Sequence, residues 1–127
     1  MTSELDGRRI FVVEDSPVVA DDSAEILQEL GCKVVGPAGN MASALQLAQS
    51  EDIDAAIVDL NIRGGKSFAV LKVLEGRGIP FLVTSGYADW TMPEEWAGRP
   101  RLPKPYTPDM LRLSLTELLA PDQAGTP

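Results

Sequence analysis

The sequence contains no histidine, which removes the Ser-His-Asp and Cys-His nucleophilic mechanisms and the commonest zinc sites. A single cysteine, Cys32, excludes a disulfide within the chain and reads as a small buried hydrophobe. Long apolar runs are also missing: none approaches the roughly 18 to 20 residues of a membrane span. The start, MTSELDGRR, lacks the apolar core of a secretion signal, so a cytoplasmic setting is expected. Basic residues are scarce, eleven against nineteen acidic, and the net charge of −8 disfavours nonspecific contact with nucleic acid or anionic membrane. The expectation is therefore no direct nucleic-acid partner and no membrane insertion.

What is present is an alternation. The length of 127 residues suits one domain, and no internal repeat signals a solenoid. RRIFVV (8–13) is a short continuous run of β-branched and aromatic residues, the signature of a strand buried on both faces. SPVVADDSAEILQELG follows, with Pro17 just inside a helix start after Ser16, a stripe through Val19, Ser23, Ile26 and Leu30, and a stop at Gly31.

The pattern repeats four more times. CKVVG precedes MASALQLAQS, DAAIVDL precedes KSFAVLKVLEG, IPFLVTS precedes a weak helix near WTMPEEWAG, and RPRLP precedes TPDMLRLSLTELLA. Five strands alternating with five helices predict a parallel sheet wrapped on both sides. Pro93 and Gly98 leave the fourth helix little room, and Trp90 and Trp96 are expected to pack in the core. Residues 8–119 are read as the domain, 1–7 as an N-terminal lead, and 120–127 as a disordered tail.

In open parallel sheets, sites form beyond the carboxyl ends of the strands. Glu14 and Asp15 follow the first strand; Asp59 ends the third, with Asn61 two residues on. Ser85 and Gly86 follow the fourth, and Lys104 and Pro105 the fifth. Two carboxylates about 4 Å apart repel by about 4 kcal/mol at an effective dielectric of roughly 20, so three in one pocket call for a cation. Hard oxygen donors suit Mg2+. With the charge screened, Asp59 is a carboxylate nucleophile able to attack phosphorus, and no general base is needed. Ser85 offers a hydrogen bond, and Lys104 a compact positive charge, to the phosphoryl oxygens of the product.

At these residues the chain resembles a response-regulator receiver domain of two-component signalling, from about residue 8 to 119. The resemblance is carried by VVEDSP, VDLNIRGGKSF, PFLVTSGY and PKPY. Asp59 alone would read as a turn residue; five separated positions agreeing in type and order make the signal specific. LGCKVVGPA, GIPFLVTSGYAD and GRPRLPKPYTPDML also resemble single-domain receivers whose fourth strand reads P-F-x-F-A-T-G-Y, with Val83-Thr84-Ser85 here in place of F-A-T.

The resemblance implies a flavodoxin-like, doubly wound five-stranded sheet in the order 2-1-3-4-5. It implies that Asp59 accepts a phosphoryl group, that Asp15, Asp59 and the backbone carbonyl of Asn61 hold Mg2+, and that Glu14 acts through metal-bound water. Lys104 and Ser85 would stabilise the phosphoryl group, Ser85 rather than Thr84 being the switch hydroxyl. Pro105, often preceded by a cis bond in this family, would aim Lys104 inward. Arg101 stands where the family commonly has an aromatic switch residue, so Tyr87 and Trp90 become the candidate reporters, and Ser85, Tyr87, Arg101 and Pro105 the output positions.

The function implied is a single-domain response regulator, a phosphoacceptor rather than an enzyme. Its partners would be a sensor histidine kinase in trans and an unknown downstream protein, with a phosphorylation-dependent homodimer left open. Two alternatives stand beside it. One is a receiver-like binding module regulated without phosphorylation. The other is an aspartyl-phosphate hydrolase, disfavoured because such enzymes carry D-x-D-x-T near the first strand, whereas D-L-N here lies on the third.

Overall fold

The computed structural model describes residues 5–86, Trp96 and residues 98–120. Strand β1 (Arg9–Val13) is followed by helix α1 (Pro17–Glu29), β2 (Lys33–Ala38), α2 (Met41–Ser50) and β3 (Ala55–Asp59). A small hairpin, β4 (Asn61–Ile62) and β5 (Gly65–Lys66), leads into α3 (Phe68–Gly76), β6 (Phe81–Gly86), β7 (Arg101–Lys104) and the last helix, α4 (Pro108–Leu118). The weak helix expected near residues 90–98 falls, apart from Trp96 and Gly98, outside the described residues, as do Tyr87, Trp90 and residues 121–127. Helix α4 is thus the fifth helix of the sequence reading.

Five strands form one parallel sheet in the order β2-β1-β3-β6-β7. With the hairpin set aside, this is the expected 2-1-3-4-5 order of a flavodoxin-like fold. Strand alternation sorts the core into two layers. Phe11, Val13, Val58, Phe81 and Val83 face α2 and α3, while Ile10, Val12, Ile57, Leu82 and Leu102 face α1 and α4.

The helices begin where the residues dictate. Ser16 accepts a hydrogen bond from the Val19 amide at the start of α1, and Pro17 occupies the first turn. Asn40 caps α2 through Ser43, and Thr107 caps α4 through Met110. Helix α1 stops at Gly31, whose φ of +90° is open to glycine, and where a Cβ would run into Asp6.

Strand β2 runs two residues beyond the expected CKVVG, through Pro37 to Ala38. A proline has no amide for a ladder and reads as a strand breaker. It is tolerated here because β2 is an edge strand, and Pro103 sits likewise in β7, the opposite edge.

Leu5, in the expected N-terminal lead, is buried against the α1/α4 layer. The Gly7 amide donates to the Gly31 carbonyl at 2.7 Å, and the Cys32 thiol donates to the Leu5 carbonyl at 3.4 Å. Cys32 is the buried hydrophobe expected: burial, with the charge of Asp6 second, pushes its thiol up. Trp96 is buried edge-on to Phe81, ring centroids 6.0 Å apart, and the Arg99 guanidinium covers both rings while pairing with Glu75. Among the described residues, no helix is long and apolar enough to cross a membrane.

Candidate functional site

Side-chain parity builds the site. Val12, Ile57 and Leu102 all face the α1/α4 layer, and two residues further along each strand stand Glu14, Asp59 and Lys104. A period of two keeps each of them on the same sheet face as its predecessor, at the carboxyl edge. The Glu14 amide continues the ladder by donating to the Ala38 carbonyl at 3.0 Å.

The three side chains meet. Lys104 Nζ donates to Asp59 Oδ2 at 2.9 Å and to Glu14 Oε1 at 3.0 Å. The Asn61 amide donates to Asp59 Oδ1 at 3.1 Å, and the Ser16 amide to Glu14 Oε2 at 3.0 Å. Both carboxylates are almost fully buried, their side chains 4% and 5% exposed, so each needs these partners.

The charges perturb one another. Burial, chiefly, raises the pKa of Glu14, with Asp59 adding to the rise and the Ser16 amide and Lys104 opposing it. For Lys104, burial disfavours the charge, but the hydrogen bonds and fields of Asp59 and Glu14 outweigh it and hold the ammonium above its ordinary value. Lys104 is therefore a permanent cation in this site at neutral pH.

Asp15 joins Glu14 and Asp59, with one carboxylate oxygen from each lying within 4.8 Å of the others. One ammonium does not neutralise three carboxylates, and an all-oxygen donor set of this kind fits a hard divalent ion such as Mg2+. Beside it opens a cleft of about 320 Å³, walled by Glu14, Asp15 and Asp21 on α1's side and by Asn40 and Arg63 on the other.

Of the other expected residues, Asn61 lies at the start of the β4–β5 hairpin. Ser85 is fully buried in β6, level with Pro103 of β7. The pleat places Ser85 on the face of Val83, while Thr84, level with Asp59, shares the face of Leu82 and Asp59. Arg101 is exposed at the start of β7, and Pro105 follows Lys104 through a cis bond, as the resemblance implied.

Three residues escaped the sequence reading. Ser67 is fully buried and donates to the carbonyls of Asp59 at 2.7 Å and Leu60 at 3.2 Å, closing the hairpin beneath Asp59. Arg63 ties that hairpin to α2, its carbonyl accepting from the Met41 amide at 3.0 Å. Tyr106, two residues past Lys104, shares a hydrogen bond with Ser23 of α1. All three lie inside the quoted motifs, and for Ser67 and Tyr106 a hydroxyl within them was the available signal.

The comparisons agree with this geometry. The family profile described as response regulator receiver domain matches residues 10–115. The solution structure of SdrG from Sphingomonas melonis Fr1 is similar at 37% identity and a TM-score of 0.79, covering 90% of this chain and 98% of that one. SdrG in its BeF3-activated conformation matches at 38% identity and a TM-score of 0.75, over 88% and 96%. The receiver domain of the sensor histidine kinase PA1611 from Pseudomonas aeruginosa PAO1, solved with magnesium in its active-site cleft, shares the fold at 22% identity and a TM-score of 0.76, over 89% and 98%. The nitrate/nitrite response regulator NarP of Escherichia coli K12 is 33% identical over 72 residues, 56% of this chain and 34% of NarP, so the chain spans about a third of that curated relative. With its parallel sheet, its acidic cluster and its bridging lysine, the chain belongs to the response regulator receiver domain family of two-component systems.

Proposed function

We propose that the protein is a phosphorylation switch in which Asp59 takes a phosphoryl group from a phosphohistidine of a sensor kinase supplied in trans. The observation that carries this reading is Lys104 held between Asp59 and Glu14 at 2.9 and 3.0 Å at the carboxyl edge of the sheet. The likeness to SdrG, nearly end to end and including an activated state, supports a single-domain regulator.

In the transfer, an ionised Asp59 oxygen attacks phosphorus, the P–N bond breaks, and its electron pair leaves with the imidazole. Asp15, Asp59 and the Asn61 carbonyl would hold Mg2+, with Glu14 acting through water; the bound ion would screen the carboxylates and draw charge from the phosphoryl oxygens. Lys104 loses its bond to the phosphorylated Asp59 and takes a phosphoryl oxygen instead, and Ser85, which the pleat turns toward the other sheet face, would swing its hydroxyl over the carboxyl edge to offer it to another. That exchange of partners is the physical event that would bias the expected output positions, Ser85, Tyr87, Arg101 and Pro105, between two populations. Output then passes to a downstream protein or to a second copy of the chain.

The test is intact mass after incubation with Mg2+ and acetyl phosphate. One added phosphoryl group, absent in Asp59→Asn and without metal, supports the reading. No adduct in the wild type, together with no spectral response to beryllofluoride, overturns it in favour of a phosphorylation-independent binding module.

A further inference from the structure

Ser23 lies on the buried stripe of α1, between Ala20 and Leu27, and is 1% exposed. Alanine would pack there without burdening the core with a hydroxyl, which is costly to bury unless bonded. Its oxygen lies 2.6 Å from the Tyr106 hydroxyl, 83 residues away in the chain. Tyr106 in turn packs its ring against the α1/α4 layer.

These contacts close a circuit. Lys104 Nζ bonds Glu14 Oε1, Glu14 Oε2 accepts from the Ser16 amide at the head of α1, α1 carries Ser23, and Ser23 bonds Tyr106, which returns through Pro105 to Lys104. Lys104 is thereby fixed twice, at its ammonium by the carboxylates and at its backbone by Tyr106. A lysine side chain is long and flexible, so the backbone tether decides which oxygen the ammonium can reach. A cavity of about 330 Å³, whose lining includes Asp22, Ser23, Ile26, Lys104 and Tyr106, adjoins the ring and gives it room to move.

We propose that Tyr106 is a positioning residue for Lys104, acting through its hydrogen bond to Ser23, and that this bond is remade when Lys104 changes partners. The second half rests on the phosphorylation reading above; the first does not. The state of the site is then carried to α1 by Tyr106, in a chain whose usual aromatic position holds Arg101.

The test combines stability and kinetics. Tyr106→Phe keeps the ring and removes only the hydroxyl; Ser23→Ala removes its partner. In urea unfolding of the unmodified protein, the midpoint shift of Tyr106→Phe with Lys104→Met is expected to fall short of the sum of the single shifts. With Mg2+ and acetyl phosphate, the maximal phosphorylation rate of Tyr106→Phe is expected to fall about 3- to 10-fold with the half-saturating donor concentration unchanged. Ser23→Ala should match it, and the double variant should be no slower. In a Tyr87→Phe background the tyrosine Raman doublet belongs to Tyr106 alone, and beryllofluoride should shift it. Additive stability effects of Tyr106→Phe and Lys104→Met overturn the positioning role whether or not the chain is phosphorylated. A wild type that takes no phosphoryl group defeats the phosphorylation reading separately.

Discussion

Glu14 carries the clearest pH signature of any single residue in the site. Its folded pKa is raised, chiefly by burial, so protonation favours the fold. The corresponding stability is present in full below the ordinary glutamate value of about 4.3 and is lost as pH rises through the folded value. Glu14→Gln should therefore be more stable than the wild type at pH 7, with the difference shrinking as pH falls toward 4. Urea unfolding of both proteins across that window checks it, and a difference that grows on acidification would contradict the burial argument. Ser67 makes a second point at this scale. Its hydroxyl serves two carbonyls in a fully buried setting, so Ser67→Ala is expected to cost about 1–3 kcal/mol in the same measurement.

The hairpin β4–β5 is the element on which the loop after Asp59 depends, and two neighbouring glycines bear on it differently. Gly64 has φ +109° and a Cβ there would sit 2.9 Å from the Met41 Cβ; Gly65 has φ +125° and open space around it. Both substitutions strain the backbone, by about 1–3 kcal/mol, but only Gly64→Ala also presses on the first residue of α2. Thermal unfolding should show Gly64→Ala as the less stable of the pair. Equal losses would mean that the loop moves freely against α2, contrary to the bond between the Met41 amide and the Arg63 carbonyl. Helix α2 is secured at its other end by Arg77, whose guanidinium donates to the carbonyls of Ala48 and Glu51 at 2.6 and 2.9 Å.

At the scale of the molecule, a net charge of −8 surrounds a site that, on the proposed function, would admit an anionic phosphoryl donor. Repulsion between like charges is screened over about 8–10 Å at physiological salt. The rate of phosphorylation by acetyl phosphate at saturating Mg2+ should therefore rise with ionic strength. Stopped-flow or mass measurements between low and moderate salt test this, and a falling rate would mean that a local cation such as Arg63, on the cleft wall, outweighs the field of the whole chain.

Local pattern alone determined the alternation of strands and helices, the helix starts at Ser16-Pro17 and Thr107-Pro108, and the placement of Glu14, Asp59 and Lys104 just where strands end. Those features depend on neighbours a few residues apart, and a period of two or of 3.6 is visible in the chain itself. The tertiary structure decided what depends on sheet order and register. Pro37 extends a strand because β2 is an edge, Leu5 enters the core because the lead folds back onto Gly31, and Thr84, not Ser85, shares the pleat of Asp59. The bonds of Lys104 to residues 45 and 90 positions away, and of Tyr106 to Ser23, arise only when parallel strands bring distant loops to one edge. No local periodicity encodes such pairings, because their partners are chosen by the packing of the whole sheet.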